Sequence, residues 1–300
     1  MKKIFKVDKD FQETRLDKWL RLQKINLPHA LIEKLIRKKE IKVNNKKTKT
    51  SYRVKFNDTV EIYGLSKLKN KKDIERSSYI ATKRDKKKYD NFVIENNENF
   101  LVINKPSGIS VQPGTNSYKN IFDILKGTNY FVGQSPYIVH RLDKETSGIL
   151  IVAKNRKYAQ LLTSLFRIRK IHKTYHAIVI GKFSYDKKTL VDNLVYFENK
   201  KKINQKAISH VKLIKTNNNY SFLELTPVSG RKHQLRKQLF NIGYSIVGDN
   251  KYSLVNYNKN SHLMLHSRKL KFMINDTKFT FQAEYPSEFT KFLNSKIRSL

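Results

Sequence analysis

Asp143 is the carboxylate in this chain best placed to do chemistry. It lies in the string His140-Arg141-Leu142-Asp143-Lys144-Glu145-Thr146-Ser147-Gly148-Ile149-Leu150, between a Gly/Pro-punctuated loop and an apolar run, 148–153, that reads as a buried strand. An acid at the entry to such a strand can be held rigidly while staying open to a ligand. A carboxylate so placed can serve as nucleophile or general base, although a loop aspartate taken alone is more often a turn or cap residue. The sequence contains no cysteine, which excludes a thiolate nucleophile, thiolate zinc sites and disulfides. His262 and His266 stand i, i+4, but the residues between them are apolar and no carboxylate or cysteine is near in sequence, so no metal is expected there. Neither a P-loop nor a GxGxxG turn occurs.

The elements that must hold Asp143 follow from Phe92 onward, where short β-like runs alternate with few helices: FLVINK, GILIVAK, TYHAIVIG, HVKLIK, SFLELTPV, and a late pair around KLKFMI and KFTFQA. Many short strands with two clear helices predict an α+β domain with a mixed, largely antiparallel sheet. A smaller module precedes it. Leu16, Trp19 and Leu20 share one helical face, and Leu31, Ile32, Leu35 and Ile36 repeat that spacing after Pro28, a good first-turn residue. Ile41 and Val43 then alternate with lysine, Asn44-Asn45 supplies a turn, and Val60 and Ile62 alternate again. The expectation is an ααββ module over residues 1–64, a flexible basic linker over 65–91 carrying ten Lys plus Arg, and a catalytic domain over 92–300.

Charge points to the partner. There are 62 Lys plus Arg against 25 Asp plus Glu, a net +37 with pI near 10.1, and such a field favours a polyanion. An A/T-rich genome also enriches surface lysine, but it would do so evenly. Residues 1–90 carry net +16 and the other 210 carry +21, so the charge is densest in the small module and the linker. The opening MKKIFKVDKDF has no apolar signal region and charges interrupt every apolar stretch, so no membrane segment and a cytoplasmic location are expected. The 39% hydrophobic content, with 17 Phe and 16 Tyr, suffices for a substantial core.

Two stretches carry resemblances to known families. RLDKWL, LIRKKEIKVNN and SYRVKFNDTVEI resemble an S4 RNA-binding domain, in which the second helix and the loop after it face RNA. That resemblance implies RNA contacts at Arg37, Lys38, Lys39 and Lys42, while His29-Ala30 departs from the small or basic pair usual at the start of the helix. The string from His140 to Leu150 is similar to the HRLDxxTSGLLL motif of RluA-type pseudouridine synthases, and His140 itself sets that family apart from the small-subunit rRNA synthases. Three further segments match in order, so the likeness runs over residues 92–290: NKPSGISVQPG (104–114), KTYHAIVIG (173–181), and SGRKHQLRKQL (229–239) followed by GYSIVGDNKY (243–252).

This resemblance implies that Asp143 is the catalytic carboxylate, that Tyr175 is the active-site tyrosine, and that Arg236, on a helix beginning near Gly230, pairs with Asp143. It places His140, Arg141, Lys105, Arg231 and His233 among substrate or RNA contacts, with Lys105 in a lysine-proline turn that braces the site floor. Lys232 and Lys237-Gln238 depart from the family's residues and bear on RNA contacts more than on chemistry. The reaction it implies, uridine to pseudouridine in structured RNA, exchanges a glycosidic bond with no net redox or phosphoryl change, so no cofactor or metal is expected. The combination of modules looks most like the RluC-like group that acts on 23S rRNA of the large subunit, working as a monomer. A synthase acting on tRNA and a non-catalytic ribosome-assembly factor that keeps the fold as a platform are the rival readings.

Overall fold

The computed structural model describes residues 2–23, 27, 29–64, 79–113, 119–184, 188–198, 201–253 and 261–297. The chain divides into two units, Met1–Ser77 and Ser78–Leu300.

The first unit is built on a helical pair whose apolar faces the spacing foretold. Helix α1 (Leu16–Leu22) buries Leu16, Trp19 and Leu20, and α2 (His29–Arg37) buries Ile32, Leu35 and Ile36 in the same cluster. Strands β2 (Ile41–Val43) and β3 (Lys46–Lys47) are joined by Asn44 and Asn45, both at positive φ, a backbone that asparagine tolerates in a two-residue hairpin turn. Strand β4 (Thr59–Tyr63) pairs with β2, and also with a strand the sequence did not announce, β1 (Lys2–Lys6). The sheet order is β1-β4-β2-β3. The expected ααββ module is therefore preceded by an extra strand, mostly exposed and lysine-rich, with Phe5 meeting Trp19 edge-to-face. Pro28, whose place at a first turn the sequence suggested, lies outside the described residues, as do the side chains of His29 and Ala30.

The second unit begins earlier than the basic composition suggested. Residues 79–91, expected as linker, include a helix, α3 (Lys83–Asp90), whose N-terminus is closed by a capping box between Thr82 and Asp85 and whose Tyr89 is buried against Leu101, Ile121 and Leu125. Most charges of KRDKKKYD occupy the solvent faces, while Asp85, bound in the cap, and Tyr89 are buried. Residues 65–78 of the proposed linker lie outside the described residues.

Among the described residues ten strands form the sheet of this unit: β5 (Val93–Asn96), β6 (Phe100–Lys105), β7 (Tyr137–Ile138), β8 (Ser147–Ala153), β9 (His172–Ile180), β10 (Thr189–Glu198), β11 (Lys201–Thr216), β12 (Tyr220–Pro227), β13 (Leu265–Ile274) and β14 (Thr277–Gln282). The main order is β10-β11-β12-β9-β13-β8-β6-β5, with β14 on β13 and β7 on β8. All described strand-to-strand pairings in this sheet are antiparallel except β8 with β13, which meet in parallel over Ser147–Gly148 and His266–Ser267. Four helices besides α3 pack on this sheet: α4 (Ile121–Lys126), α5 (Arg156–Arg167), α6 (Gln234–Asn241) and α7 (Ser287–Lys296). The mixed, largely antiparallel α+β architecture is as expected, with five helices among the described residues in place of the two clear ones.

Strand β8 is buried at all seven residues because both of its faces are covered. Leu150 and Val152 face the cluster under α4, while Ile149 and Ile151 face the cluster under α5. This buried strand anchors the loop that bears Asp143. Gly148 sits at φ +108, and a Cβ there would lie 2.3 Å from the Ser267 carbonyl oxygen, so only glycine permits the close parallel approach of β13.

Candidate active site

Three loops and one helix end converge where β8 begins. Asp143 lies four residues before β8 with its side chain 24% exposed. The loop around it is tied from below by the lysine-proline turn. Lys105 Nζ, on a side chain with no exposure, donates to the carbonyls of Pro106 (2.9 Å), Ile109 (3.0 Å) and Lys144 (3.1 Å). The Gly108 amide also donates to the Lys144 carbonyl, and Ser107 Oγ donates to that of Glu145 at 2.6 Å. Lys105 thus braces the floor, as the resemblance implied, but it cannot meet RNA, because all three of its donors are spent on buried carbonyls. Burial brings its pKa down to about 7 against the upward pull of Glu145 and Asp143. Replacing Lys105 with methionine should cost about 2–4 kcal/mol in chemical denaturation, the price of orphaning buried acceptors. RNA affinity of the folded fraction should stay unchanged, and a selective loss of affinity would restore Lys105 to the RNA surface.

His140 is likewise a brace. Its Nε2 accepts from the Ile151 amide at 2.9 Å and its ring stacks on Phe166 at 4.4 Å between centroids. Burial, with Lys173 nearby, drops its pKa to about 3, so it is neutral and offers no cation to RNA. His140 also lines the cavity, so it both faces the site and holds the strand that follows Asp143.

Arg236 and Tyr175 reach the same place from opposite sides. Both line, with Asp143, a cavity of about 790 Å³, within the range of small-ligand sites. Tyr175, on β9, is half-buried, and burial together with the Asp143 charge, against a hydrogen bond to Ser267, raises its hydroxyl to about 12. It keeps its proton at any working pH. Helix α6 starts at Gln234, four residues later than the sequence suggested, because His233 adopts a left-handed backbone (φ 54°) at its N-cap.

Arg236 is 5% exposed, and its two-pronged face is not turned to Asp143. Nε and Nη2 bind the two oxygens of Asp249, both at 2.7 Å, and Asp249 is wholly buried. What remains is Nη1, 3.9 Å from Asp143 Oδ2 and 3.5 Å from Glu145 Oε2. The expected pairing of Arg236 with Asp143 is thus a looser contact, secondary to a partner that the sequence reading left unassigned. Asp249 is placed by Gly248 at φ +78, where a Cβ would stand 2.0 Å from the His262 carbonyl oxygen. Burial alone would push Asp249 up, but the Arg236 hydrogen bonds and the amides of Tyr252 and Lys251 outweigh it and hold its pKa below the ordinary value. At Asp143 the balance goes the other way: burial and Glu145 raise the pKa more than Arg236, Arg141 and Lys105 lower it.

The remaining expected contacts divide. Arg141 is exposed at the cavity mouth, and Arg231, also lining it, donates from Nε to the Lys206 carbonyl at 3.3 Å. Arg167 and Arg169, cations that no motif marked, join them there with Lys173, the first residue of the KTYHAIVIG segment. His233 faces Asp143 from α6. Thr146 also lines the cavity, and its hydroxyl is buried without a protein hydrogen-bond partner. In the first unit Arg37, Lys38 and Lys39 are exposed, with Lys39 at φ 60° ending α2, and Lys42 lies over the Tyr63 ring at 5.5 Å. Among the described residues no group of three metal-ligating side chains occurs, and His266 instead bonds Ser147 Oγ and the Ala283 carbonyl.

Residues 99–241 match the model of the RNA pseudouridylate synthase family, and 14–60 match that of the S4 domain. The ribosomal large subunit pseudouridine synthase C of Rickettsia felis is 34% identical over 296 residues, spanning 92% of this chain and 95% of that one. The chain belongs to the RNA pseudouridylate synthase family. The counterpart from Buchnera aphidicola is 30% identical, over 89% of this chain and 88% of its own. Among solved structures, human RNA pseudouridylate synthase domain containing 4 shares the fold with a TM-score of 0.56 at 23% identity, covering 69% of this chain and 94% of the other. The family carried by the HRLD string is thereby met by a likeness along nearly the whole sequence. Enzymes of this family detach uracil from C1′ of a uridine in RNA, turn it, and rejoin it through C5.

Proposed function

We propose that this protein converts uridines of 23S ribosomal RNA to pseudouridine, with Asp143 as the carboxylate that acts on the sugar. The observation that carries the reading is the convergence of Asp143, Tyr175 and the Asp249-anchored Arg236 on one cavity at the foot of a fully buried strand. A target uridine flipped out of its stack enters this cavity. Tyr175 offers the base a flat face and a hydroxyl that stays protonated. Arg236 Nη1 supplies the positive charge that favours ionised Asp143 in a site whose burial disfavours it. Arg141, Arg167, Arg169, Arg231 and Lys232 at the mouth neutralise phosphates of the flanking strand, and Arg37, Lys38, Lys39 and Lys42 of the S4 unit hold structured RNA. The reading takes the protein to act as a monomer in the cytoplasm, where ribosomal RNA is found.

The large-subunit assignment follows the names of the relatives at 30% identity and above. A non-catalytic assembly factor would have no need of Asp143, Tyr175 and Arg236 held together. Mapping pseudouridine across total RNA from a strain lacking the gene decides the matter. We expect 23S sites to be lost and to return with the wild-type gene but not with Asp143→Asn. Loss confined to tRNA would move the substrate, and an unchanged map would overturn the reading.

A further inference from the structure

Arg236 approaches only one oxygen of Asp143. The other, Oδ1, faces His233, whose Nε2 is 3.7 Å away. On the far side of the same ring, His233 Nδ1 is 3.0 Å from the hydroxyl of Tyr252, and the two rings meet edge-on at 5.6 Å between centroids. Tyr252 is itself fixed by Asp249: its amide donates to Asp249 Oδ1 at 2.9 Å, and the Arg236 guanidinium lies over its ring at 5.3 Å. One buried carboxylate therefore anchors two arms. The first runs through Arg236 to Oδ2 of Asp143, the second through Tyr252 and His233 to Oδ1.

The charge state of His233 follows from its surroundings. From α6 and the turn before it, Arg236 and Lys232 face it; from the loop of Asp249, Lys251 and Tyr252; from the loop entering β8, Asp143 and Glu145. Burial and then these three cations lower its pKa to about 4, against the pull of Glu145. The ring is neutral at neutral pH and carries one N–H. If that proton sat on Nδ1, the lone pair of Nε2 would point at an ionised carboxylate. The favourable alternative has Tyr252 donating to Nδ1 and Nε2–H directed at Asp143. The left-handed backbone of His233, a conformation that costs energy in any residue but glycine, is what turns the ring into this position.

We propose that Tyr252 and His233 form a positioning dyad that fixes the rotation of the Asp143 carboxylate, Tyr252 by selecting the Nε2–H form of His233 and His233 by directing that proton to Oδ1. The dyad clamps the oxygen that Arg236 leaves free, so that the carboxylate cannot turn away from the sugar. The 3.7 Å separation belongs to the RNA-free protein, and such contacts shorten when substrate closes a site. This assignment rests on Asp143 acting in the reaction as described above, and it reassigns His233 from RNA contact to support of that carboxylate.

Two measurements on the full-length protein test it. Nitrogen NMR of histidine-labelled protein at neutral pH, with the His233 signal assigned by its absence in His233→Gln, should show the neutral Nε2–H form. In Tyr252→Phe the signal should move toward a mixture of the two neutral forms. A protonated ring or the Nδ1–H form in the wild type overturns the dyad whatever the enzyme's substrate proves to be. The second measurement is the single-turnover rate at saturating RNA, using transcribed 23S rRNA as probe. Tyr252→Phe should fall about tenfold, the worth of one hydrogen bond to a charged group, with its acid limb displaced to higher pH and RNA affinity unchanged. His233→Gln, which keeps an N–H near the Nε2 position, should retain more of the rate than His233→Ala, and adding Tyr252→Phe to His233→Gln should change nothing further. Normal saturated rates and an unshifted acid limb in both Tyr252→Phe and His233→Ala would refute the proposal. A wild-type protein inactive on this RNA would instead count against the 23S assignment, leaving the NMR result to decide the dyad.

Discussion

Asp143→Asn should abolish pseudouridine formation, with a fall of at least about 10³-fold in single-turnover rate, while RNA binding stays within a few-fold of wild type. Loss of an essential nucleophile or base removes on the order of 10²–10⁴ from the rate, and asparagine supplies neither role. Binding rests on the cations of the mouth and on stacking, not on one carboxylate. Stability separates this outcome from simple unfolding. The pKa of Asp143 is raised in the folded state, chiefly by burial, so the folded protein holds its proton more tightly than the unfolded chain does. Its contribution to stability is therefore present below the unfolded pKa and lost as pH rises through the folded one. At neutral pH the charged form is a cost that asparagine removes, and the melting temperature of Asp143→Asn should not fall. Product at more than a few percent of the normal rate would show that another group does the chemistry.

Arg236→Met should be among the most destabilising substitutions in the molecule, because it strips the cation from Asp249 more than from Asp143. Asp249 is fully buried and receives two 2.7 Å hydrogen bonds from Arg236. Removing one partner of such a pair costs about 3–5 kcal/mol. The sign of the pH dependence is distinctive. In the wild type the folded pKa of Asp249 is depressed, so its stabilisation is present above the unfolded value and lost as pH falls through the folded one. In Arg236→Met, burial without the guanidinium raises that pKa, so the variant gains stability as acid neutralises the orphaned carboxylate. The gap in unfolding free energy between wild type and variant should thus be widest near neutral pH and narrow toward about pH 4. Adding Asp249→Leu should recover much of the stability, since an apolar pair can replace a buried ion pair, but should not recover activity. Arg236→Lys should rescue poorly, as one ammonium cannot span both oxygens. A gap that stays constant with pH would show that the Arg236–Asp249 pair is not the source of the loss.

How much of this was readable in advance depended on what each residue had to satisfy. Asp143, Tyr175 and Arg236 stand in long strings, and the cavity brings all three together. The partner of Arg236 was hidden although GYSIVGDNKY was in view, because spacing along a chain does not tell which carboxylate turns toward which guanidinium. Lys105 and His140 carry structural bonds that the sequence did not show, for a common reason. A basic side chain inside a site motif resembles a ligand for RNA, whereas here both serve backbone groups that folding would otherwise leave unpaired, a need that becomes visible only in three dimensions. Helix α3 was hidden by its own charge, although Thr82 and Asp85, three apart, carried its starting signal. Strand β1 is an edge strand with mostly exposed positions, so it lacks the alternation that marks a half-buried one.

The parallel meeting of β8 with β13 also sets when this enzyme can come into being. Ser147 and its partner His266 are 119 residues apart, and the contact needs the last quarter of the chain. Pairing across so long a separation is slow, and during synthesis it must wait. Until β13 emerges from the ribosome, β7 covers only the Val152–Ala153 end of that edge of β8 while the Ser147–Gly148 end lacks its partner, and an unpaired edge is a template for pairing with other chains. The loop of Asp143 hangs from that same strand. The nascent protein therefore passes through an interval in which its site is unformed and the start of β8 is unpaired, and a chain truncated before β13 should remain inactive.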